Sequence, residues 1–170
     1  MASRDLSDIV RNGTLEELRQ ALPSDKTRRK AAVCVFHPQG GASLLTNARR
    51  WGRWDMAAAL VQEHGHPVDL ADPKQGNTAL LEVCAWGRAE AALFLIRTLG
   101  ANPHAVSKEG STALHYSSQD GHTELARILV RDFRLNANAV NHEGGTPLVP
   151  ASGRGHTATA LALINDGGAR

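Results

Sequence analysis

Apolar residues recur along this chain in short runs at helical spacing, each only two or three turns long. Ala92, Leu93, Leu95 and Ile96 form one such run, and Leu125, Ile128, Leu129 and Val130 another, so each predicts one short amphipathic helix. Ahead of other apolar runs stand Thr78, Thr112 and Thr146, whose hydroxyls can cap the unpaired amides of a helix start. Gly87, Gly121 and Gly155 then interrupt these runs, as suits a left-handed residue that closes one helix before the next begins. Polar, turn-forming stretches follow the second helices: "ADPKQGN", "AVSKEGS" and "AVNHEGG". The predicted unit is therefore helix, turn, helix, loop.

The unit repeats. "TNARRWGRWDMAAALV" lies over "EVCAWGRAEAALFLI", with Trp51-Gly52-Arg53 matching Trp86-Gly87-Arg88, and "SSQDGHTELARILV" and "ASGRGHTATALALI" continue the series. Glycines fall at 52, 87, 121 and 155, with gaps of 35, 34 and 34. A second marker keeps the same period: "GNTALL" from Gly76, "GSTALH" from Gly110 and "GGTPLV" from Gly144, with "GASLL" from Gly41 as a weaker member. Two markers in one register at this spacing are the signature of a stacked-repeat architecture.

The phrases "GSTALHYSSQDGH" (110–122) and "GGTPLVPASGRGH" (144–156) resemble the ankyrin repeat, as do the period and the glycine-histidine pair. The resemblance implies an all-α helix-turn-helix solenoid of about five units with short β-hairpin loops. Those units begin near residues 2, 37, 73, 107 and 141 and form one domain over 1–170. A divergent first unit, "DLSDIVRNGTLEELRQAL", carries two helical patterns split at Asn12-Gly13; Gly13 precedes Gly52 by 39 residues, so the first connection holds an insertion. Two departures from the family phrase stand out. His115 is present, but Leu45, Leu81 and Val149 take its place elsewhere, and the hairpin aspartate is replaced by Pro73, Ser107 and Asn141. Pro150 falls in the first turn of its helix, where amides have no internal partner and proline costs little.

Composition narrows the class. The 19 basic and 17 acidic residues leave a net charge of only +2, so the whole-chain field favours neither nucleic acid nor membrane. Cys34 and Cys84 lie far apart without metal-ligand spacing, which reads as reduced thiols, and no apolar run approaches membrane-span length. A cytoplasmic or nuclear protein is expected. Charges crowd the first thirty residues, as a solvated terminal cap requires. Residues 141–170 hold only Glu143, Arg154, Asp166 and Arg170, so a further repeat or a partner is expected to cover that end; otherwise the chain is expected to be monomeric.

The resemblance also implies a binding surface: the two residues before each turn glycine, together with the loop tips. Before the glycines these are Arg50, Trp51, Ala85, Trp86, Gln119, Asp120, Gly153 and Arg154. At the tips, Lys74, Gln75 and Asn77 give way to Lys108, Glu109 and Ser111, and then to His142, Glu143 and Gly145. Two readings fit Trp51 and Trp86: interface anchors flanked by Arg50 and Arg53, or indoles packed over the neighbouring helix. Trp54 reads as structural.

Other chemistry finds little support. The "KTRRK" patch (26–30) has no groove-reading element beside it and reads as a solvated loop rather than a nucleic-acid site. His64 and His66 lack a third ligand nearby, and His122 and His156 are accounted for by the repeat phrase as turn-stabilising residues, so no metal is expected. The glycine pairs in "PQGGAS" and "NHEGGTPL" precede no phosphate-binding lysine, and no nucleophile has an identifiable base, so neither a cofactor nor catalysis is expected. The resulting expectation is a non-catalytic module that binds a protein partner. The alternative is the targeting or regulatory ankyrin portion of a larger enzyme or signalling protein.

Overall fold

The computed structural model describes residues 5–24, 45, 48 and 52–170, which fall into two compact units, Met1–Lys74 and Gln75–Arg170. In the first, α1 (Leu6–Asn12) and α2 (Leu15–Ala21) meet at Gly13, as the split pattern predicts. Asp5 caps α1. Thr14 caps α2 through a reciprocal box with Glu17, which satisfies two amides at one helix start. α3 (Trp54–Ala58) runs on into a π-helical turn, Ala59–Glu63. Val10, Leu18, Leu45, Met56 and Leu60 are fully buried in this unit. Arg19 clasps Glu63 with both carboxylate oxygens within 3.1 Å. The Arg53 guanidinium donates to the carbonyls of Val10, Arg11 and Gly13 at 3.4, 3.2 and 2.9 Å, sealing the end of α1.

The second unit contains three helix pairs: α4 (Ala79–Ala85) with α5 (Ala89–Arg97), α6 (Ala113–Gln119) with α7 (Thr123–Arg131), and α8 (Leu148–Gly153) with α9 (Thr157–Gly167). The first helices of the pairs stack on one another in the order α4, α6, α8, and α7 packs on α9. Their shared core is built from Leu80, Leu81, Leu95, Leu114, Leu125, Leu129 and Leu163. No pair can hide its apolar side alone, so burial couples each pair to the next.

Local signals mostly act as the sequence predicts. Thr78 and Thr112 each accept the backbone N–H of the third helical residue, Leu81 and His115. Thr146 is different. Its helix starts one residue later and no side chain caps it, because its own carbonyl takes the Val149 N–H at 3.0 Å and Pro147 and Pro150 have none to offer. The turn glycines are left-handed, with Gly87 at φ 63° and Gly121 at φ 73°.

A third periodic feature closes the second helices. His66, Ala101, Leu135 and Ala169 donate their N–H six residues back, to Leu60, Leu95, Leu129 and Leu163. The residue before each donor is left-handed, a conformation that ends a helix and favours glycine: Gly65, Gly100, Arg134 and Gly168. Among the described residues Arg134, at φ 53°, is the one non-glycine with positive φ. The loops between pairs are tight turns. One isolated antiparallel bridge, Val106 to Thr112, is the β-structure found among the described residues.

Candidate protein-binding surface

The loop tips are held from below and from the side. Ser107 Oγ accepts the N–H groups of Glu109 and Ser111 at 3.2 Å each, and Asn141 Oδ1 accepts those of Glu143 and Gly145 at 3.1 and 2.9 Å. Asp72 Oδ1 accepts from Lys74 at 2.8 Å. The hairpin aspartate replaced at Pro73 is therefore present one position earlier, in a tip one residue longer ahead of Gly76. Successive tips are also joined: Lys108 N–H donates to the Gln75 carbonyl, and His142 N–H to the Glu109 carbonyl, both at 2.8 Å. The tip backbones are thus consumed by the fold. The side chains of Lys74, Gln75, Lys108, Glu109, His142 and Glu143 remain exposed.

Asn77 is placed otherwise. It is 8% exposed, its Oδ1 accepts the Tyr116 hydroxyl at 2.7 Å, and its Nδ2 donates to Gln75 Oε1 at 3.0 Å. Its side chain is engaged inside the groove between the first two helix pairs of this unit.

Trp86, Asp120 and Arg154 close α4, α6 and α8 at the same register position. The Trp86 indole is 40% exposed. Asp120 and Arg154 pair with each other at 2.9 Å, both half in solvent, a contact that sets orientation more than stability. The carbonyls of Ala85 and Gln119, just before these residues, take hydrogen bonds from His122 and His156 of the next pair, at 3.0 and 3.2 Å. That is the turn-stabilising role expected of the two histidines. Arg50, Trp51, Cys34 and the "KTRRK" patch lie outside the described residues.

Glu109, Ser111, Gln119 and Glu143 come together around a cleft of about 350 Å³ between α6, α8 and their tips. Tyr116, Val149 and Pro150 form its apolar wall. Sequence reasoning did not single these three out as site residues, although aligning Pro150 under Tyr116 would have shown a large side chain traded for a small one. His115 forms part of the floor. Its Nδ1 accepts the Thr112 N–H at 3.2 Å, so Nε2 carries the proton and donates to the Gly145 carbonyl at 3.0 Å. Burial holds its pKa below the usual imidazole value.

His64 and His66 occupy the register positions of Leu99 and Ala101 at the helix ending and are likewise buried. His66 Nδ1 lies 2.7 Å from the Pro67 carbonyl, and burial lowers its pKa too. Among the described residues no three metal-ligating side chains converge, and no helix is long and apolar enough to cross a membrane. Cys84 is fully buried.

Helix pairs on a 34-residue period, glycine-turned and locked to one another by a histidine, define a stacked helical repeat. Two family models match: one for ankyrin repeats in three copies over residues 96–170, the other for ankyrin repeats in many copies over residues 45–96. The chain belongs to the ankyrin-repeat family. No curated protein matches it. Ankyrin repeats are in general protein–protein interaction modules and are typically not enzymes.

Proposed function

We propose that the chain, read as one array of about five repeats over 1–170, is a non-catalytic module that grips a protein partner along its tips and the residues before its turn glycines. The observation that carries this reading is the division of labour at the tips: backbone groups are bonded in a repeated pattern, while Lys74, Gln75, Lys108, Glu109, His142 and Glu143 vary in charge and face solvent. Variable side chains on a fixed frame suit recognition. The exposed Trp86 supplies an aromatic anchor of the kind that dominates interface energetics, and Trp51 is its register equivalent. The reading places the module in the cytoplasm or nucleus.

Affinity capture with the full chain, set against the double variant Trp51→Ala/Trp86→Ala, tests it. Loss of captured protein with unchanged helical content supports the reading. Unchanged capture would refute the role of the indoles, and loss of helicity would show that they belong to the core.

A second observation bears on the end of the array. Leu161 and Ile164, one turn apart on α9, are 51% and 43% exposed, so an apolar stripe faces solvent on the last helix. It favours a further repeat or a partner packing there, as in a targeting or regulatory portion of a larger enzyme or signalling protein.

A further inference from the structure

We infer that the cleft between α6 and α8 is a specificity pocket that receives one basic side chain, arginine or lysine, from an extended segment of the protein partner. The inference rests on the protein-binding reading above and adds the chemistry of what is bound.

The cleft exists because one residue type changes between otherwise equivalent repeats. In the groove between α4 and α6, Tyr116 reaches across and its hydroxyl bonds to Asn77. One repeat later the same position is Pro150, whose ring cannot span the groove, and Ser111 stands where Asn77 did. The space that Tyr116 fills in one groove is left open in the next, at about 350 Å³, near the lower end of the ~300–1,000 Å³ typical of ligand clefts. That size suits one long side chain.

The lining sets its chemistry. Glu109 and Glu143 stand at the rim, and among the described residues neither pairs with a cation; Glu109 has only the Ser107 hydroxyl at 3.3 Å. Nearby cations are turned elsewhere. Arg154 is paired with Asp120, and the Lys108 stem lies against Gly76 in the preceding gap. His115 is held as a neutral tautomer by bonds at both ring nitrogens. The pocket is therefore net negative at its mouth and apolar along Tyr116, Val149 and Pro150. A long aliphatic stem with a cationic head matches both halves.

The test is selection of displayed short random peptides on the immobilised full chain, followed by affinity measurements on the wild type, Pro150→Tyr and Glu109→Gln/Glu143→Gln. Pro150→Tyr refills the cleft with the side chain the neighbouring groove already holds; the double amide variant removes charge from exposed tips and keeps shape. The expected result is enriched peptides sharing an arginine or lysine, whose affinity falls at least about tenfold in both variants with helicity unchanged. Enriched peptides without a common basic residue, or bound equally by Pro150→Tyr, would overturn the pocket and leave the protein-binding reading standing. No enrichment over the bare support would count against both.

Discussion

The imidazole of His122 lies where a β-carbon on Gly87 would have to be, while its Nε2 donates to the Ala85 carbonyl. The α6–α7 pair is thereby keyed to the turn of the α4–α5 pair. The relation recurs for His156 and Gly121, where an added β-carbon would fall 2.6 Å from Nδ1. Gly87 is constrained twice, by a left-handed φ and by the ring beside it.

This separates two costs. Gly121→Ala should cost ~1–2 kcal/mol in left-handed strain and about 1 kcal/mol more for the displaced histidine bond. Gly155→Ala carries the same strain at φ 75°, yet nothing lies within 4 Å of its added carbon. Urea unfolding should find Gly121→Ala the less stable of the two by about 1 kcal/mol; equal midpoints and slopes would remove the histidine key.

Arg134 should be improvable. It is exposed and holds the left-handed place that Gly65, Gly100 and Gly168 hold in the other repeats. Relief of ~1–2 kcal/mol of strain outweighs the ~0.5–1 kcal/mol that glycine's freedom costs on folding. Arg134→Gly is predicted to raise Tm by a few degrees in calorimetry, and a fall would mean that the side chain contributes more than the geometry allows.

Stability should depend on pH in a known direction. Burial depresses the pKa values of both His66 and His115 below their unfolded value of 6.5. Between the folded value and 6.5 the unfolded chain binds more protons, so stability is full above about 6.5 and falls as pH drops below it. His115→Leu, which copies Leu81 at the same position, should flatten part of that slope in urea midpoints measured across this range. A slope identical to wild type would exclude His115 as a source.

Polar substitution of the open stripe on α9 tests what covers it. Leu161→Lys/Ile164→Glu should abolish any concentration-dependent association seen in sedimentation and leave Tm nearly unchanged, since both residues are already exposed. A large loss of Tm would place them in the core instead.

Much of the fold was legible because the period is carried by residues whose backbone role is local. Threonine caps and turn glycines act within a few positions, so Thr78, Thr112, Gly87 and Gly121 could be read without knowing their neighbours. The left-handed endings of the second helices were missed because Arg134 breaks the glycine series that would have revealed them. Asp72 was missed because a single extra tip residue shifts it off the 34-residue count. The cap at Thr146 failed through competition, its carbonyl taking the Val149 amide first. The cleft depends on what a side chain does across a gap, so it appears only when Tyr116 and Pro150 are seen against the same groove.

The contact between a histidine ring and the turn before it is the most direct mark of stacking in this register. Through-space NMR transfer from the His122 imidazole protons to the Gly87 α-protons, and from those of His156 to Gly121, should be strong in both pairs. Absence of both signals in the folded chain would mean that adjacent repeats do not stack in this register.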